Sequence, residues 1–78
     1  MEYISLKDLS VDSDATISAF NFGAVEATRL VSLGFTPGAE VSVSQNYGHG
    51  PLIVTIRGTR VALGRLEASN IFVERKPG

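Results

Sequence analysis

The chain has 78 residues, 44% of them hydrophobic and 19% charged, a balance that suits one small globular domain and excludes intrinsic disorder. Seven basic residues against eight acidic ones leave a net charge of -1, so the excess of Lys and Arg that a general nucleic-acid binder needs is missing. Cysteine is absent, which excludes a disulfide framework, a thiolate metal cluster and a cysteine nucleophile. No stretch approaches the roughly 20 apolar residues that span a bilayer. The opening Met1-Glu2-Tyr3 lacks the basic region and apolar run of a signal peptide, so a cytoplasmic protein without direct membrane insertion is expected.

From the N-terminus, Ile4-Ser5-Leu6-Lys7 alternates apolar and polar and then breaks, which predicts a short strand and a turn. Asp12-Ser13-Asp14 is a further turn signal, because these side chains bond their own backbone. Ala15 to Phe20 reads as a second strand, with Ala15, Ile17 and Ala19 on one face and Thr16, Ser18 and Phe20 on the other. From Ala24 to Leu33 the spacing of Ala24, Val25, Ala27, Leu30, Val31 and Leu33 predicts a helix with one buried stripe. Glu26 lies near its start and Arg29 further along, as the macrodipole favours. Gly34 suits the left-handed position just past the helix, which makes Phe35 the next residue of a Schellman cap and Leu30 its apolar partner.

Thr36-Pro37-Gly38 has the chemistry of a type II turn, with Pro37 fixing φ and Gly38 supplying a positive one. Ala39, Val41 and Val43 then alternate with Glu40, Ser42 and Ser44 as a third strand, and Gln45 to Pro51 forms a loop. Leu52 to Arg57 and Arg60 to Leu63 read as a hairpin around Gly58-Thr59 with a type II′ turn. That register sets Arg57 opposite Arg60, Ile56 opposite Val61 and Val54 opposite Leu63. It gathers Leu52, Val54, Ile56, Val61 and Leu63 on one core face. Leu66 to Asn70 looks like one helical turn with Ala68 inward, Ile71 and Val73 give a last strand, and Arg75 to Gly78 is a polar tail. The expected organisation is a single domain over 1–74 and a tail at 75–78. The expected fold is mainly β: a small, partly open barrel of about five short strands with one inserted helix, since closure protects the edges of strands this short.

The run Arg29-Leu30-Val31-Ser32-Leu33-Gly34-Phe35-Thr36-Pro37-Gly38-Ala39-Glu40-Val41, with its pattern R-L-x-x-L-G-F-x-P-G-x-x-V, resembles the FeoA family, ferrous iron transport protein A. Further matching blocks are Gly50 to Val54, Arg57 to Leu63, Ala68 to Val73 and Ser5 to Leu9, so the resemblance spans nearly the whole chain. It implies an SH3-like barrel and a cytoplasmic accessory of the FeoB ferrous iron transporter. FeoB carries its own G-protein domain, and the resemblance implies that a FeoA protein acts on FeoB. A similar SH3-like module ends the DtxR-type metal-dependent repressors, so the fold by itself does not fix the function. Here no DNA-binding helix pair precedes the module, which favours the stand-alone reading.

Most residues that carry this resemblance are apolar residues, Gly and Pro, explained by cap, turn and core. Chemistry has to be sought elsewhere. His49, in the loop Asn46-Tyr47-Gly48-His49-Gly50, is the weak candidate for a metal ligand. Imidazole suits ferrous iron, yet a metal site needs several converging ligands and no carboxylate is near it in sequence. No G-x-S-x-G elbow and no phosphate-binding G-x-x-x-x-G-K-[ST] is present, so neither a catalytic residue nor a cofactor site is expected. Arg57 and Arg60 at the hairpin tip are candidate docking points for a partner's carboxylate, since Arg pairs with carboxylates bidentately. Phe22 and Tyr47, aromatics in predicted loops, are candidates for the apolar part of the same contact. Phe20 belongs with them as a residue the core does not need. The leading expectation is a non-enzymatic partner of the cytosolic domain of an FeoB-type transporter. The alternative is a metal-responsive regulatory module that binds a transition-metal ion or a peptide.

Overall fold

The computed structural model describes residues 3–75. The first strand, β1 (Tyr3–Ser5), runs into a 3₁₀ turn at Leu6–Asp8. Three-residue periodicity there points Leu6 and Leu9 the same way, and both are fully buried. The turn before β2 (Asp14–Phe20) contains Asp12 at φ +68°, a conformation Asp tolerates, with its N–H donated to the Val43 carbonyl at 2.8 Å.

A bulge in β2 overturns the expected face of Ala19. Pairing with the last strand slips between Ile17 and Ala19, so the alternation breaks. Ala15 and Ile17 are buried as expected, Ala19 is exposed, and Phe20 turns toward the core margin.

The helix α1 spans Ala24–Ser32, but its buried stripe is narrower than its sequence suggests. Only Leu30 is fully buried; Val25 is 88% and Val31 46% exposed. Periodicity marks which residues could share a face, and here the sheet covers a fraction of that face. The helix stop matches expectation in each bond. Gly34 has φ +105°, its N–H reaches the Val31 carbonyl at 3.0 Å, and the Phe35 N–H reaches the Leu30 carbonyl at 3.0 Å. These are the two bonds of a Schellman cap, and Leu30 and Phe35 both sit fully buried in the core. The type II turn is also present, with Gly38 at φ +91° and the Ala39 N–H bonded to the Thr36 carbonyl at 3.0 Å.

β3 (Glu40–Gln45), β4 (Leu52–Ile56) and β5 (Thr59–Leu63) follow as an antiparallel meander. The hairpin register differs from the expected one. Ile56 pairs with Thr59 and Val54 with Val61, so the two-residue loop is Arg57-Gly58. Both have positive φ, +50° and +78°, which identifies a type I′ turn; its twist matches that of the strands. Arg57 and Arg60 therefore do not face each other, and Arg60 lies opposite Thr55. The core face survives this correction because the slip is by two residues, which preserves side-chain parity. Leu52, Val54, Ile56 and Leu63 are fully buried, with Val61 packed at the margin.

A short helix, α2 (Arg65–Ser69), buries Ala68 and leads into β6 (Ile71–Arg75). Arg75 thus belongs to a strand, opposite Ala15; the rest of the expected polar tail lies outside the described residues. Among the described residues six strands form one antiparallel sheet in the order β1-β6-β2-β3-β4-β5. The sheet is not closed: β1 and β5 are its edges. Its inner face, with Leu30, Phe35 and Ala68, makes a core in which no polar side chain is buried among the described residues.

Candidate functional site

The sequence-predicted candidates fall at separate places. Arg57 and Arg60 are at the β4–β5 tip. Tyr47 and His49 are in the β3–β4 loop, at the other end of β4. Phe22 precedes α1 and makes an edge-to-face contact with Phe20, ring centroids 5.9 Å apart, while both pack against the core. Phe22 is thus half-buried and covers an end of the core, whereas Tyr47 is 71% exposed. His49 is exposed too, and among the described residues no three His, Cys, Asp or Glu side chains converge on one point.

The Tyr47 loop is built by two side chains that sequence reading passed over. Asn46 accepts the Gly48 N–H at 3.1 Å and an Arg65 Nη1 hydrogen bond at 3.0 Å on the same Oδ1, and its Nδ2 donates to the Lys7 carbonyl at 3.1 Å. Arg65 also reaches the Gly50 carbonyl at 3.4 Å. The Asn-x-Gly spacing was the available signal for the first of these bonds. Its tertiary partners, Lys7 and Arg65, are not predictable from local sequence.

The hairpin tip is held differently. Arg57 folds back over the helix stop, donating from Nε to the Gly34 carbonyl at 3.4 Å and from Nη2 to Thr36 Oγ1 at 3.3 Å. Beside it, Asp14, Glu40, Ser42, Thr55, Arg57 and Gly58 line a shallow cleft of about 290 Å³ on the outer sheet face. Arg60 is exposed and makes no hydrogen bond to another side chain among the described residues.

Charge is segregated along the chain. Residues 41–66 contain Arg57, Arg60 and Arg65 and no Asp or Glu, leaving four basic residues against eight acidic ones elsewhere. Lys7–Asp8, Arg29–Glu26 and Arg29–Glu67 are ion pairs among the described residues, and none of the three arginines forms one with a described carboxylate. Arg29, by contrast, is fully engaged. It donates to Glu26 Oε2 at 2.9 and 2.7 Å within α1 and bridges to Glu67 on α2. These hydrogen bonds hold the Glu26 carboxyl below its ordinary value and raise Arg29 above its own. Glu67 uses its other oxygen to accept the Gly64 N–H at 3.2 Å.

No helix of the described residues is long and apolar enough to cross a membrane. The FeoA domain family model matches residues 4–75. The inferred Fe(2+) transport protein A of Methanocaldococcus jannaschii is 33% identical over 61 residues, covering 78% of this chain and 73% of that one. The zinc complex of Stenotrophomonas maltophilia FeoA is 33% identical, covers 91% of this chain and 89% of that one, and superposes with a TM-score of 0.80. It is described as an SH3 domain protein proposed to act as a ferrous iron transport activating factor. IdeR of T. acidophilum is 19% identical, with 97% of this chain on 35% of that one at a TM-score of 0.84, and shares the fold alone. A family match over nearly the whole length, on an SH3-like sheet whose cap and turn fall where the family's pattern requires them, makes this chain a member of the FeoA family, associated with ferrous iron transport.

Proposed function

We propose that this chain is a cytoplasmic, non-enzymatic accessory that docks on the cytosolic domain of an FeoB-type ferrous iron transporter and modulates it. Family membership supplies the transport system. The observation that carries the docking role is the set of arginines on residues 41–66 that lack a carboxylate partner, on a chain that is acidic elsewhere. Side chains left in this state are suited to a partner's carboxylates, and such complementarity speeds encounter and selects partners. Of the four candidate contact residues, Arg57, Arg60 and Tyr47 are exposed, Arg57 being also bonded to the helix stop, and Phe22 is half-buried against the core.

The test is a titration of the isotope-labelled chain with the purified cytosolic domain of the transporter, followed by amide NMR at two salt concentrations. Binding that weakens with salt and with Arg60→Ala is expected. No interaction at high micromolar concentration of either protein would overturn the reading. The same titration with Fe(II) or Mn(II) alone addresses the metal-responsive alternative.

A further inference from the structure

β5 is an edge strand, and its outer side is open. Because Ile56 and Thr59 flank a two-residue turn, they exchange both backbone hydrogen bonds, and so in alternation do Val54 with Val61 and Leu52 with Leu63. The N–H and C=O groups of Arg60 and Ala62 therefore point away from β4. No strand pairs with them, and both residues are exposed. The next outward donor, the Gly64 N–H, is already taken by Glu67, which marks where the open stretch ends. Val61 adds an apolar side chain that is only half-buried at this edge. Open backbone groups beside a half-covered valine are what an added strand would complete.

The charge pattern selects the occupant. A second copy paired along this edge would set against each other two segments that each carry Arg57, Arg60 and Arg65 and have no acidic residue to offset them. An acidic strand meets the opposite situation. Resting on the docking role proposed above and naming its chemistry, the geometry points to β5 as a strand-addition site for an extended acidic segment of a protein partner. A carboxylate of that segment lies beside Arg60 and an apolar side chain beside Val61. The acidic cleft residues Asp14 and Glu40 do not oppose this, since they belong to β2 and β3, across β4 from the open edge.

The experiment uses the whole labelled chain and two short capped peptides, one alternating glutamate with valine and one alternating lysine with valine. The glutamate peptide should shift the amides of residues 59–63 and slow exchange of the Arg60 and Ala62 N–H groups; the lysine peptide should do neither. Ala62→Pro removes an outward N–H that no intramolecular bond uses, so it should leave the fold intact and weaken peptide binding by about tenfold or more. Arg60→Glu, at an exposed position, should reverse the preference to the lysine peptide. Unprotected Arg60 and Ala62 amides, or equal binding of the two peptides, would overturn the site. Protection that grows with the concentration of the chain alone would overturn the acidic occupant in favour of a second copy. The transporter's cytosolic domain separates the two proposals. If it binds wild type and Ala62→Pro equally, the edge proposal fails and the docking role stands. If the glutamate peptide binds at β5 but the transporter domain does not, the docking role fails and the edge site stands.

Discussion

The Arg57 side chain lies so close over Gly34 that a Cβ on the glycine would stand 2.9 Å from Arg57 Cδ. Residues 23 apart in sequence thus meet where the helix stop and the hairpin tip come together, and Gly34 is required twice. Its φ of +105° is unfavourable for any residue with a Cβ, and the space where that Cβ would go is occupied. Gly34→Ala should therefore cost about 1 kcal/mol or more in urea melts. In an Arg57→Ala background the cost should fall and remain positive, because the arginine can be moved aside and the backbone strain cannot.

The tip register gives a second test. Were Arg57 and Arg60 opposite each other, replacing both would relieve repulsion and stabilise the hairpin. In the observed register, Arg60→Ala should be neutral to within about 0.5 kcal/mol, as expected of an exposed side chain. Arg57→Ala should cost on the order of 0.5–1 kcal/mol through its lost bonds to Gly34 and Thr36. A double variant more stable than wild type would show that the register is wrong.

Helix α1 separates periodicity from burial. Leu30→Ala should destabilise by about 2–5 kcal/mol, a large share of the stability of so small a domain. Val25→Ala, on the same helix, should change stability by less than about 0.5 kcal/mol. Equal effects from the two would place α1 deeper against the sheet than its exposure indicates.

Glu26 should titrate in the folded chain below the ordinary glutamate value, because Arg29 donates two hydrogen bonds to its carboxylate. A depressed folded-state value contributes stability above the unfolded-state value and loses it as pH falls through the folded one. Carboxyl NMR titration should show Arg29→Gln moving the Glu26 midpoint upward. The same variant should flatten the acid limb of the stability profile, and a midpoint unmoved by Arg29→Gln would refute the pairing.

Loop order near Tyr47 depends on Asn46, whose Oδ1 takes bonds from both Gly48 and Arg65. Asn46→Ala should speed amide exchange at Gly48 and cost on the order of 1 kcal/mol, since the half-buried Arg65 loses a partner. Exchange at Gly48 as slow as in wild type would mean the glycines alone hold the loop.

What the sequence determined by itself was local. The cap at Gly34, the type II turn at Pro37-Gly38, the alternation of β3 and β4, and the core parity of the hairpin all follow from bonds within a few residues or from a two-residue period. The cap and the turn were legible because Pro37 fixes φ and glycine takes a positive φ without strain, and the strands because their side chains alternate. The family pattern was legible for the same reasons, since it is written mainly in Gly, Pro and apolar residues. Tertiary structure decided the rest. The bulge that exposes Ala19 arises from pairing with β6, and the sparse burial of α1 reflects how little of that helix the sheet covers. The hairpin slip turns on whether Arg57 or Thr59 enters the turn, a choice settled by strand twist and by the contact of Arg57 with Gly34. The candidate site was the least legible part. Its arginines could be read as a cluster in sequence, but whether each one is used or left open depends on partners distant along the chain. Arg57 finds Gly34 and Thr36, Arg65 finds Asn46, and Arg60 stands on an edge because the fold places no strand beside β5.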